Sequence, residues 1–102
     1  MTQVEIISRD EKELCIALKG EIDSSIAEEF YKVVCTAYEA APATVVFACE
    51  ELEFIDSTTL GTFVKILKKV KTDGFTLRLI GLQAKIKKLF VICSLDTIME
   101  IA

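Results

Sequence analysis

Apolar residues recur at every second position after Glu13: Leu14, Ile16 and Leu18 alternate with Cys15, Ala17 and Lys19. That period predicts a strand, Glu13 to Lys19, with one strongly apolar face. Val4 to Ser8 reads as its partner, and the polar stretch Arg9-Asp10-Glu11-Lys12 is short enough to be a hairpin loop. Gly20-Glu21-Ile22-Asp23 then leaves the strand. After Ser24-Ser25 the period changes. Ile26, Phe30, Val33, Val34, Ala37 and Ala41 follow at helical spacing, Ser25 and Glu28 stand as a capping box, and Pro42 ends the helix. Ala43 to Cys49 is apolar almost without a break, the pattern of a central strand covered on both faces.

Glu50-Glu51-Leu52-Glu53 reads as an acidic loop. A second helix is predicted from Ser57 to Thr72, with Leu60, Phe63, Val64, Leu67 and Val70 inside and Lys65, Lys68, Lys69 and Lys71 outside or near its C-terminal end. Asp73-Gly74 supplies its stop. Phe75 to Ile80 is a further strand, closed by Gly81. A third helix, about Ala84 to Cys93, should bury Ile86, Leu89, Phe90 and Cys93 and leave Lys85, Lys87 and Lys88 in water. Leu95 to Ile101 fits either a helix or a strand. The order β-β-α-β-α-β-α predicts an α/β fold: a mostly parallel sheet of four to five strands, an antiparallel N-terminal hairpin strand, and helices packed against it through right-handed crossovers.

Composition narrows the chemistry. The 102 residues, with 52% hydrophobic content, 4 Gly and 1 Pro, suit one domain spanning 1–102 rather than a linker. A net charge of −4 argues against nucleic acid as partner, because that affinity comes largely from cations on phosphates. No stretch approaches the ~20 apolar residues of a membrane span, and the lysines of the later helices read as a solvated face, with too little cationic excess for a membrane surface. Met1 to Glu5 lacks the features of a secretory leader, so a cytoplasmic location is expected. Cys15, Cys35, Cys49 and Cys93 show no zinc spacing and are expected to be buried thiols of a reducing compartment. With no histidine, Ser-His and Cys-His catalysis and imidazole metal ligation are excluded. Neither a metal nor a cofactor is expected, and Glu50, Glu51, Glu53 and Asp56 read as solvated carboxylates.

Ser57 stands in Phe54-Ile55-Asp56-Ser57-Thr58-Thr59-Leu60-Gly61, where an apolar run hands over to a helix. Free N–H groups and the positive end of the helix dipole favour negative charge there. Two roles follow from position alone: a simple N-cap, which Asp56 could equally supply, or a phosphate acceptor. Asp23 and Asp56 fall at two loops that can converge at one end of the sheet. A recognition surface around Ser57 would then include Glu21, Asp23, Ser24, Asp56, Thr58 and Thr59; the plainer role for Asp23 is that of a turn residue.

Gly20-Glu21-Ile22-Asp23, the apolar strand ending in Cys49, and Phe54 to Gly61 together resemble the STAS family, named for sulfate transporters and anti-sigma factor antagonists. The resemblance spans essentially the whole chain, and with no transporter segment in it the stand-alone bacterial antagonists are the expected match. It implies that Ser57 is the phosphorylated serine. The unphosphorylated form would bind an anti-sigma factor that is also a serine kinase and so free the sigma factor; phosphorylation would dissolve that complex, and a serine phosphatase would reset it. The chain would be a kinase substrate with no catalysis of its own. Two positions depart from the pattern. Thr59 stands where many members have Gly, adding a second hydroxyl near the tip that could be modified along with or instead of Ser57, as could Thr58. Ala48 stands where many have a polar residue, often Asp. Three other functions compete: a STAS interaction or scaffold module unconnected with sigma factors, an acyl carrier modified at Ser57, and a hydrolase using Ser57, which would lack a histidine base and a Gly-x-Ser-x-Gly elbow.

Overall fold

The computed structural model describes all residues, Met1–Ala102. Strand β1 (Val4–Arg9) and strand β2 (Glu13–Ile22) form the opening hairpin, followed by helix α1 (Ala27–Ala40), strand β3 (Thr44–Ile55), helix α2 (Ser57–Thr72), strand β4 (Leu77–Ile80), helix α3 (Ala84–Ile92), a 3-10 turn (Leu95–Thr97) and strand β5 (Glu100–Ile101). The five strands lie in the order β1-β2-β3-β4-β5; β1 runs antiparallel to β2, and every other pair is parallel. The sheet and the alternation of elements are those the periodicity predicts. An all-helical acyl carrier is thereby excluded.

Neighbouring strands succeed one another in sequence, so right-handed crossovers carry the three helices to the same face. Four phenylalanines record this. Phe63 of α2 lies edge-on to Phe30 of α1, Phe47 of β3 and Phe90 of α3, each with ring centroids 5.4 Å away. Leu14, Ile16, Leu18, Val45, Leu77 and Leu79 join them in one buried cluster. The opposite face carries no helix. There Cys15, Ala17, Ala48 and Ile80 remain half-buried, and an Arg78–Glu13 ion pair of 3.2 Å crosses the central strand beside Val46. The uninterrupted apolar run of β3 therefore reflects one helix-covered face and one face of small residues screened by charged side chains.

The largest difference from expectation is at the C-terminal ends of β2 and β3. Gly20-Glu21-Ile22 does not leave the strand, and Glu50 to Glu53 is not a loop: the two strands continue side by side, pairing Lys19 with Glu51, Gly20 with Leu52, Glu21 with Phe54 and Ile22 with Ile55. Register shifts between Ala17 and Lys19 and between Gly20 and Glu21 break the strict alternation, so the pattern fades where the pairing persists. Leu52 and Ile55 still point into the core, while the glutamates face water; Glu51 lies 3.9 Å from Lys19, which also pairs with Glu5 at 3.1 Å.

Three smaller differences have local causes. The Ser25–Glu28 capping box does not form; α1 begins at Ala27 with no side-chain cap, because the Ser25 hydroxyl donates to Asp23 Oδ1 at 2.5 Å instead. Strand β4 starts at Leu77 rather than Phe75. Gly74, at φ +85°, turns the chain after α2, and the Phe75 N–H donates back to the Val70 carbonyl at 2.9 Å, closing the helix rather than joining the sheet. Finally, α3 buries Ile86 and Phe90 only. Leu89 and Cys93 are exposed and Cys15 is half-buried, so only Cys35 and Cys49 are the buried thiols expected. Burial, with a smaller contribution from Glu50, pushes the Cys49 thiol up to about 12. No helix is long and apolar enough to cross a membrane.

Candidate functional site

Because β2 and β3 are parallel and end in register at Ile22 and Ile55, the loops that follow them emerge together. The β2–α1 loop carries Asp23, Ser24 and Ser25; the β3–α2 junction carries Asp56 and Ser57. The C-terminal edge of parallel strands is where α/β sheets commonly place binding sites.

Asp56 organises this edge. It is the N-cap of α2, and its Oδ1 accepts the Thr59 N–H at 3.0 Å. Its Oδ2 accepts the Ser24 N–H at 2.8 Å, so one carboxylate ties both loops together. The Thr59 N–H bond foremost, with the Ser24 N–H bond behind it, holds the Asp56 carboxyl below the usual carboxylate range against the opposing effect of burial. Asp56 is thus the cap, and Ser57 is the first helical residue. The Ser57 side chain is exposed and its hydroxyl bonds to nothing within the chain, while the N–H groups of Ser57 and Thr58 have no intrahelical acceptor.

Thr58 is exposed as well, but Thr59 is not the outward hydroxyl expected of it. It is fully buried. Its hydroxyl lies 2.5 Å from the Ile22 carbonyl oxygen and 3.0 Å from Asp56 Oδ1, so its one proton bonds inside the fold. A threonine in the third helical position points back under the loop, leaving no surface for a partner or a modifying enzyme. Asp23 is half-buried, and its Oδ1 accepts both the Ser25 N–H, at 2.9 Å, and the Ser25 hydroxyl; it shapes the turn into α1.

Two depressions flank the edge. Glu21 and Asp23 line one of about 460 Å³ with Thr2, Gln3 and Lys19. Ser24 and Thr58 line the other, about 530 Å³, which runs between α1 and α2 past Tyr31, Lys32, Thr62 and Lys65. Glu21 and Thr58 therefore line different depressions. Tyr31 and Lys65 join the groove without any local sequence pattern to announce them: Lys65 Nζ sits 4.8 Å from the Tyr31 ring centroid, a contact between helices. Phe54, 45% exposed at the same strand end and paired with Glu21, stands beside the edge, and an aromatic two residues before Asp56 is its signal in the sequence. No three Cys, Asp or Glu side chains converge to hold a metal ion.

The STAS domain model matches residues 2–102. The chain is 33% identical over 99 residues to the anti-sigma-B factor antagonist of Listeria monocytogenes, covering 96% of this chain and 86% of that protein. It is 31% identical over 97 residues to the anti-sigma-B factor antagonist of Bacillus subtilis, covering 94% and 87%. Its fold is similar to that of the anti-sigma factor antagonist SpoIIAA in its unphosphorylated form, with a TM-score of 0.77 at 19% identity over 97% of this chain and 86% of the other. The phosphorylated form of SpoIIAA from Bacillus superposes with a TM-score of 0.75 at 22% identity, covering 97% and 90%.

Proposed function

The chain belongs to the STAS domain family, and from that premise we propose that it is a cytoplasmic anti-sigma factor antagonist switched by phosphorylation of Ser57. In the unphosphorylated state it binds an anti-sigma factor that is also a serine kinase, and the sigma factor is released. The kinase transfers the terminal phosphoryl group of ATP to Ser57 Oγ, the hydroxyl proton passes to a base on the kinase, and ADP departs. A serine phosphatase later hydrolyses the phosphoester. The chain's own contribution is presentation of a hydroxyl, with no catalytic group.

One observation carries this reading: the Ser57 hydroxyl is exposed and unbonded at the first position of a helix whose cap is already supplied by Asp56. Ser57 is therefore free of structural duty and open to an enzyme. A phosphate there adds about −1.5 to −2 charges. The first-turn N–H groups and the helix dipole accommodate that charge within the fold. Against a docked partner the same charge, added beside Asp56, repels acidic groups and is costly to desolvate. Binding is lost through local electrostatics without a large rearrangement. Ser24, Asp56 and Thr58 form the contact surface around Ser57, with Glu21 and Asp23 at its margin.

The test is incubation with the anti-sigma factor kinase of the source organism and ATP, followed by intact-mass and peptide mapping. One phosphoryl group is expected, on Ser57. Ser57→Ala should bind the kinase without being modified, and Ser57→Asp should bind at least tenfold more weakly, a difference of about 1.4 kcal/mol. Phosphate on another residue, or undiminished binding by Ser57→Asp, would sink the proposal.

A further inference from the structure

Charge is divided unevenly along the chain. From Ser57 to Ile92 stand eight of the 12 Lys and Arg and only one of the 16 Asp and Glu; thirteen of those acids precede Ser57, and Asp96 and Glu100 follow α3. Within the basic stretch Lys69 is paired with Glu39 and Arg78 with Glu13, while the lysines at 65, 68, 71, 85, 87 and 88 make no ion pair. All six lie on α2 and α3, neighbours in one layer that meet through Phe63 and Phe90. The expectation of too little cationic excess for a membrane surface counts the chain as a whole. The excess is there, confined to two adjacent helices.

Helix α3 adds apolar side chains to those cations. Its inner face buries Ile86 and Phe90. Lys88, Val91 and Ile92, at i, i+3 and i+4, share the outer face, with Lys85 and Leu89 along one flank. A helix of a small soluble domain ordinarily keeps that face polar. Here Leu89 is 37% exposed, Val91 47% and Ile92 67%. None of the three lines a depression. They stand out from a convex surface, set among lysines.

We propose that α3, with the lysines in the last turns of α2, is a docking surface for an anionic lipid bilayer. The ammonium groups reach head-group anions on flexible stems, and Val91 and Ile92 seat at the boundary of the acyl chains. A folded acidic protein would need hollows shaped to receive those protruding side chains, whereas a fluid lipid layer closes around them. Val91 and Ile92 lie in the last turn of α3, away from the strand ends that carry Ser57. A membrane held there leaves Ser57 open to the aqueous side, so the proposal stands apart from the assignment of Ser57.

Co-sedimentation with vesicles of phosphatidylcholine containing about 30% phosphatidylglycerol, compared with phosphatidylcholine alone, tests this. Wild type should bind the anionic vesicles at least tenfold more tightly than the neutral ones, and lose that advantage at high salt. Lys88→Glu should lose about tenfold, whereas Lys12→Glu, the same change of net charge on the opening hairpin, should stay within about twofold of wild type. Ile92→Ser should lose about fivefold, and Ser57→Asp should bind as wild type does. These positions are exposed, and thermal melts check that each variant is folded. The chain contains no Trp, so Ile92→Trp carries a single indole. Its emission should move to the blue on anionic vesicles and be quenched by brominated acyl chains. Failure of wild type to sediment with anionic vesicles at low salt, or equal losses in Lys88→Glu and Lys12→Glu, would overturn the proposal. Sedimentation with an unquenched indole would mean that cations act alone, on any polyanion including an acidic protein, and would overturn the lipid assignment. A protein that binds these vesicles but no anti-sigma factor kinase keeps this inference and loses the proposed function; the reverse result fells this inference alone.

Discussion

The Tyr38 hydroxyl donates to the Asp73 carboxylate across 2.7 Å, joining the last turn of α1 to the residue that closes α2. The ring also meets Phe75 edge-on, with centroids 6.3 Å apart. Burial first, and the Asp73 bond second, hold the Tyr38 phenol above its ordinary range. The two helices that frame the groove are thus fastened at the end remote from Ser57.

Removing that hydroxyl in Tyr38→Phe should cost about 1 kcal/mol in urea unfolding near neutrality. The pH dependence has a definite sign. An unfolded tyrosine ionises near ~10, whereas the native phenol stays protonated above that. The stabilisation is therefore complete below about pH 10 and declines as pH rises through the native value. Wild type should lose stability above about pH 10 more steeply than Tyr38→Phe, and parallel profiles would contradict the assignment.

Asp56→Ala removes the cap of α2 and the acceptor of the Ser24 N–H together. A fall in Tm of roughly 4–8 °C is expected. Since the native carboxyl titrates below its unfolded value, the stabilisation is present above the unfolded range and disappears as pH falls through the native one. The Tm difference between wild type and Asp56→Ala should therefore shrink on acidification from about pH 5 to about pH 2.

Thr59→Val preserves shape but leaves the Ile22 carbonyl without its donor. About 1–3 kcal/mol should be lost. Thr59→Gly should loosen the edge further, and hydrogen exchange at the Ser24 and Ser25 amides should quicken in both variants. Exchange at wild-type rates would show that the hydroxyl fastens nothing.

Phosphorylation of Ser57 should leave the fold intact. Tm is expected to stay within a few degrees of the unmodified protein, or to rise, because negative charge in the first turn of a helix contributes about 0.3–1 kcal/mol. Thermal melts of the stoichiometrically phosphorylated protein check this; a large fall would mean that the switch acts by unfolding α2.

The sequence made the hairpin, the three helices and the parallel strands legible because each buries one face, and burial imposes a period. Asp56-Ser57 was legible as a helix entrance because the entrance needs an acceptor at that position. Three features escaped for physical reasons. The continuation of β2 and β3 past Lys19 and Cys49 was hidden by bulges that shift the period and by glutamates that face water on a paired strand. Ser25 has the spacing of a cap, but a nearer acceptor, Asp23, takes its hydroxyl. Thr59 looked like a surface residue because its type is polar. Its burial follows from the angular position of the third helical residue and from an acceptor, Ile22, 37 residues away in sequence.

Both oxygens of Asp56 are taken up by the chain's own amides. The negative charge nearest the serine is consequently a constant of the scaffold, pinned at a fixed distance and withdrawn from bargaining with visitors. Under the proposed switch, a docking protein would meet that same background every time, and the variable left to it would be whether one oxygen ends in hydrogen or in phosphorus.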